Sequence, residues 1–161
     1  MRIAKFHAFI LALFAAGTVW AMDTPRTAAP APAAAAKDTA LEQARAAIDR
    51  KDWAGAQSVL RDAVARNPQN AEYHNLYAYS MRMGPNPSMD LVFRHYNEAL
   101  RIDPKLRGAH EYLGEAYLMT GNVAKAKEHL ALLDGLCGQS CEEYAKLKQA
   151  VAAYEQQHAN K

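Results

Sequence analysis

The chain has 161 residues, with 19 Lys and Arg against 17 Asp and Glu, a length that suits one domain with a sizeable core. Setting aside Arg2 and Lys5, which lie in a segment read below as a removable leader, leaves 17 charges of each sign. That balance excludes nucleic acid as a partner, because phosphate binding needs a clustered surplus of Lys and Arg, and it excludes a polybasic membrane anchor.

Met1 to His7 carries Arg2 and Lys5, and the nine residues from Ala8 to Ala16 are apolar without a break. The apolar stretch is shorter than the roughly 20 residues of a spanning helix, and Val19-Trp20-Ala21 forms a small-x-small end suited to signal peptidase. We read residues 1–21 as a cleaved secretory signal, which implies a periplasmic protein with no stable membrane insertion after cleavage. The competing reading is an uncleaved N-terminal anchor. Residues 22–37 are almost wholly Ala, Pro and Thr, with Pro25, Pro30 and Pro32 and no large side chain to bury, the composition of a flexible linker.

Residues 38–157 show helical spacing throughout. Leu41, Ala44 and Ile48 mark one face of a first helix that runs to about Arg50. Trp53 is expected in the turn, and a second helix with Ala56, Leu60 and Ala63 inward ends at Asn67-Pro68, since proline disfavours the helical conformation of the residue before it. His74, Tyr77, Ala78 and Met81 then form the packing face of a third helix, and Val92, Tyr96 and Ala99 that of a fourth, which stops at Asp103-Pro104. Arg107 opens the third pair of helices, with Leu113, Gly114, Tyr117, Gly121, Ala126 and Leu130 at pattern positions. A last helix over 141–157 carries Tyr144, Leu147, Val151 and Tyr154 as its apolar stripe.

The stretch Asn97 to Leu130, in which one helix ends at a proline, a second runs to a glycine and a third follows, resembles a tetratricopeptide (TPR) repeat, whose period is about 34 residues. Ala99, Gly114 and Ala126 stand where helices must approach closely. The resemblance implies an all-α fold, an α-solenoid of three helical hairpins (about 37–70, 71–106 and 107–138) and a C-terminal capping helix over 141–157. Pro68 and Pro104 are 36 residues apart; the surplus of two is expected in Gly84-Pro85-Asn86-Pro87-Ser88, because turns tolerate insertion and packed helices do not. That loop is either a contact site or a tolerated insertion.

TPR proteins hold ligands in the concave groove lined by the first helix of each hairpin. Carried onto this sequence, the groove positions are Leu41, Arg45 and Ile48, then Asn75, Tyr79 and Arg82, then Glu111, Glu115 and Leu118. The charged set of carboxylate-gripping chaperone adaptors is only scattered here, and Glu111 and Glu115 repel an acidic tail. The mixed groove fits an extended or helical peptide with at least one basic residue; alternatively Arg82 and Glu115 neutralise each other on a solvated face.

Catalytic patterns are missing. His110-Glu111-Tyr112-Leu113-Gly114 begins like a zinc-protease helix, but Gly114 stands where the second histidine is required. The six histidines are scattered, and there is no nucleophile elbow, phosphate loop or dinucleotide fingerprint. We therefore expect no catalytic site, no metal site and no cofactor.

Cys137-Gly-Gln-Ser-Cys141 has one residue too many for a thioredoxin-type motif and lacks the histidine of haem attachment. Gly138 can end one helix, and Ser140 with Glu143 is expected to form a capping box for the next. In an exported protein the two thiols should pair as a structural disulfide; redox-active or metal-handling thiols, or unpaired thiols, are the other readings. Repeats of this kind followed by Cys-x3-Cys-Glu-Glu-Tyr resemble small exported bacterial TPR proteins. Two functions follow as expectations: a peptide-binding adaptor in the periplasm, or a chaperone or thiol-handling factor in c-type cytochrome maturation or another envelope redox process.

Overall fold

The computed structural model describes residues 38–159; the signal and the linker expected from the sequence lie outside them. Seven helices and no strand occur among these residues: α1 (Thr39–Asp49), α2 (Trp53–Arg66), α3 (Ala71–Met83), α4 (Met89–Ile102), α5 (Arg107–Met119), α6 (Val123–Cys137) and α7 (Glu142–His158). They form an α-solenoid of three hairpins, α1/α2, α3/α4 and α5/α6, with α7 packed on α5 and α6.

Short polar side chains start four of the helices. The Asp38 carboxylate accepts from the Ala40 and Leu41 amides, Asp52 from Gly55, Asn70 from Glu72 and Tyr73, and Asn122 from Lys125, each supplying a partner to amides that the first helical turn leaves free. Asp38 also accepts from the Tyr73 hydroxyl at 2.8 Å, tying the start of one hairpin to the next. Trp53 is the first residue of α2 rather than part of the turn, because Asp52 caps from one position earlier. The turns 50–52 and 120–122 have three residues and 84–88 has five, so the surplus of two lies where a loop absorbs it.

The core is built of small residues facing large ones. Ala44, Ala56, Ala78, Ala99, Ala116 and Ala126 are fully buried, opposed by Leu60, Val92, Tyr96, Leu113, Leu133 and Leu147. Gly114 marks the tightest approach: a Cβ there would lie 2.6 Å from Leu147 Cδ2, so α7 sits directly on α5. Leu133, which the sequence pattern did not single out, is fully buried, while Leu130 one turn earlier is only half-buried.

Histidine joins the two helices of the second and third hairpins in the same way. His74 Nδ1 stands 2.9 Å from His95 Nδ1 and His74 Nε2 3.0 Å from the Pro68 carbonyl oxygen. His110 repeats this with His129 at 2.9 Å and the Pro104 carbonyl at 3.0 Å. A carbonyl only accepts, so Nε2 of His74 and of His110 carries the proton, and in the neutral pair Nδ1–H of His95 or His129 donates to its partner. Four histidines that are scattered along the sequence thus meet in two pairs, each between the two helices of one hairpin, where they pack and bridge.

At the last elbow Cys137 and Cys141 form a disulfide, with Cα atoms 5.9 Å apart, so the two thiols are paired. Gly138 ends α6 with φ of 74°. The capping box does not form: Cys141, not Ser140, is the N-cap of α7, without a side-chain capping bond. Ser140 lies one residue too early, and Glu143 reaches instead to Arg107 at 3.5 Å.

Candidate functional site

The first helices of successive hairpins, together with α7, enclose a cavity of about 600 Å³. Arg45, Ile48 and Asp49 come from α1, Glu72, Asn75, Leu76 and Tyr79 from α3, Leu106 precedes α5, Arg107, Gly108 and Tyr112 open it, and Glu143 comes from α7. Two ion pairs border the opening: Arg45 with Glu72 at 2.6 Å and Arg107 with Glu143 at 3.5 Å.

Asn75 is the singular residue of this wall. It is 2% exposed, its Nδ2 donates to Glu72 Oε2 at 3.2 Å, and its Oδ1 is buried without a partner. Exchanging the amide atoms would set oxygen against the Glu72 carboxylate, so Oδ1 is the orphan. A buried acceptor left without a partner costs about 1–3 kcal/mol, and Asn75 is one of the residues that line the cavity.

An aromatic row continues from Asn75. Trp53 meets the Tyr79 ring edge-on at 6.1 Å, and Tyr79 lies 4.6 Å from Tyr112. The Arg82 guanidinium stands 5.5 Å from the Tyr79 centroid and 5.9 Å from that of Tyr112. It also pairs with Glu115 at 2.7 Å and reaches the Tyr96 hydroxyl at 3.4 Å. Burial works against its charge, but Tyr96 and Glu115 hold its pKa above the usual value. Burial also drives up the pKa of the Tyr96 hydroxyl.

Of the sequence-predicted positions, Arg45, Ile48, Asn75 and Tyr79 line the cavity. Arg82 and Glu115 do not; they pair with each other behind the tyrosines, and whereas the alternative reading put that pair on a solvated face, Arg82 is buried. Leu41 and Leu118 belong to packing clusters. Glu111 is buried under α7, its carboxylate 4.0 Å from Lys146, and burial, reinforced by Glu115, Glu143 and Glu142, pushes its pKa to about 7 against the opposing Lys146. The sequence missed Glu72, Gly108, Tyr112, Arg107 and Glu143. Gly108 and Tyr112 lie 36 residues after Glu72 and Leu76, so the offset between Pro68 and Pro104 carries the signal that finds them.

No family model matches the chain, and neither does any curated protein. Solved structures do match. The TPR domain of Arabidopsis OM64 aligns with a TM-score of 0.63 at 19% identity, over 72% of this chain and 93% of that one. The fold is that of a TPR domain. The TPR2B domain of yeast Sti1, solved as a pHsp70 complex, aligns at 0.64 and 19% identity over 74% of this chain and 95% of its own. The Yersinia enterocolitica type III secretion chaperone SycD, in complex with a peptide of the translocator YopD, aligns at 0.63 and 15% identity over 74% and 92%. No helix among the described residues is long and apolar enough to cross a membrane.

Proposed function

We propose that this TPR domain is a non-catalytic interaction module of the periplasm that holds a segment of a partner polypeptide in its concave groove. The observation that carries this reading is the buried, unpartnered Oδ1 of Asn75, a residue of the cavity lining: a turn of this side chain on binding brings Oδ1 to a donor of the partner, and Tyr79 and Tyr112 pack beside that donor. Arg45 and Arg107 face Glu72, Asp49 and Glu143 around the same cavity, an acidic balance that favours a segment with a basic residue. The solved TPR structures with bound partners support the class of function and leave this chain's partner to be found.

Export is supported by the residues at the start of the chain. N-terminal sequencing of protein from the periplasm should begin at Met22; intact residues 1–21 in the membrane fraction would reject cleavage. A photo-crosslinking amino acid at Tyr112 should trap a polypeptide from periplasmic extract that the same group at exposed Asn97 does not. Asn75→Ala should reduce that capture at least tenfold, and equal capture at both positions would reject the groove.

A second reading has one observation in its favour. Glu143, in the groove wall, lies beside the Cys137–Cys141 disulfide, which suits a chaperone or thiol-handling factor in c-type cytochrome maturation or another envelope redox process. Recovery of an apocytochrome that depends on both cysteines would select it.

A further inference from the structure

We propose that the α6–α7 elbow is a redox-gated metal site, in which reduced Cys137 and Cys141 together with Glu143 hold one borderline-soft divalent ion of the Zn²⁺ class. Both sulfurs and a Glu143 carboxylate oxygen lie within 4.8 Å of one another, and this is the one cluster of its kind among the described residues. A tetrahedral zinc site has Zn–S of about 2.3 Å and Zn–O of about 2.0–2.2 Å, which sets its ligand atoms roughly 3.4–3.8 Å apart. The carboxylate is therefore already near its place. The sulfurs, joined in the disulfide, need only side-chain rotation to separate once the bond is broken, because their Cα atoms stand 5.9 Å apart.

The surroundings admit the ion. A Cβ built on Gly138, next to Cys137 in the chain, would meet nothing beyond its chain neighbours within 4 Å, so the turn is open at that residue. Cys141 is the N-cap of α7, where the helix dipole favours a thiolate. Glu142, whose charge would oppose that thiolate, is engaged by Lys146 at 2.6 Å. Two thiolates and one carboxylate against a divalent ion leave a single negative charge, and Arg107, 3.5 Å from Glu143, faces it. Three protein ligands leave the fourth position to water or to a donor from outside.

Gating follows from electron balance. An external dithiol delivers two electrons and two protons: the Cys137–Cys141 bond breaks, two thiols form, and the dithiol departs as its own disulfide. Metal binding then releases both thiol protons to solvent. The oxidised protein has no thiolate to offer and takes up no ion here.

The purified protein, reduced with dithiothreitol and freed of it under nitrogen, would be titrated with Zn²⁺ against a chromogenic chelator. One equivalent should bind at least tenfold more tightly than to the oxidised protein or to the Cys137→Ser/Cys141→Ser variant, which reports any background from the histidines. Co²⁺ in place of Zn²⁺ should give a sulfur-to-metal charge-transfer band in the near ultraviolet. Glu143→Gln should weaken binding about tenfold, while Glu142→Gln should leave it within twofold. Equal affinity of the reduced protein and the double-serine variant would overturn the proposal. So would equal losses in the two glutamine variants, or loss of helical circular dichroism on reduction, since the ligands must come from a preformed turn.

Discussion

Arg82→Ala would leave Glu115 without its ion-pair partner and the buried Tyr96 hydroxyl without its donor, at a cost of about 2–3 kcal/mol measured by urea unfolding. Unchanged stability would return Arg82 to the groove as a free contact. Glu111 makes a prediction of opposite kind. Its folded pKa of about 7 exceeds the reference 4.5, so between those values the folded state holds a proton that the unfolded state has released, and stability falls as pH rises through the window. Glu111→Gln removes that loss and should stabilise the protein by on the order of 1 kcal/mol at about pH 8, with no gain below about pH 4.5. At this scale the sequence marked Arg82, Glu111 and Glu115 as notable and offered Arg82 and Glu115 as a pair, without saying what else encloses them. Periodicity assigns a residue to a stripe of its own helix, whereas Tyr96 of α4 and Lys146 of α7, which enclose these groups, belong to other helices.

The histidine pairs act between elements. Burial first, then His74 or His110 beside them, lowers the pKa of His95 and His129 to about 4 from 6.5. The unfolded chain therefore binds more protons than the folded one between those values, and stability falls as pH drops from 6.5 towards 4. Each should contribute on the order of 1–2 kcal/mol after screening is allowed for. Because Glu111 has the opposite slope, the measurement belongs in a Glu111→Gln background, where His95→Gln/His129→Gln should flatten the acid limb of the stability curve. Packing of α7 on α5 gives a steric counterpart. Gly114→Val drives a side chain into buried Leu147 and should cost about 1–3 kcal/mol, whereas Gly135→Ala in α6, where a Cβ meets nothing within 4 Å, should gain about 0.5–1 kcal/mol from helix propensity. Gly114 was legible as a close approach because the TPR pattern places a small residue there. The histidine pairs were hidden by a difference in spacing: His74 and His110 each follow a proline by six residues and stand 36 apart, whereas His95 and His129, beyond the longer loop, stand 34 apart.

Across the whole solenoid, Asn67-Pro68, Asp103-Pro104 and the alanine-to-aromatic pattern were enough to place three hairpins and a closing helix, because helix ends and close approaches are written in local residue types. The cavity was partly legible, since its α1 and α3 walls follow from register and its α5 wall from the 36-residue offset, whereas Glu143 depends on where α7 comes to lie. Every helix packs on its neighbours in the chain or on the helix two places along, as α1 with α3, α3 with α5 and α5 with α7, so no contact waits on the closing of a long loop. A topology this local should fold on a submillisecond-to-millisecond timescale, roughly that of helical bundles, and its opening should be graded along the axis. Hydrogen exchange should release α1, covered from one side only, well before α4, whose protection should equal that of global unfolding. Stopped-flow refolding on a timescale of seconds, or one uniform protection along the chain, would show instead that the hairpins form only as a single unit.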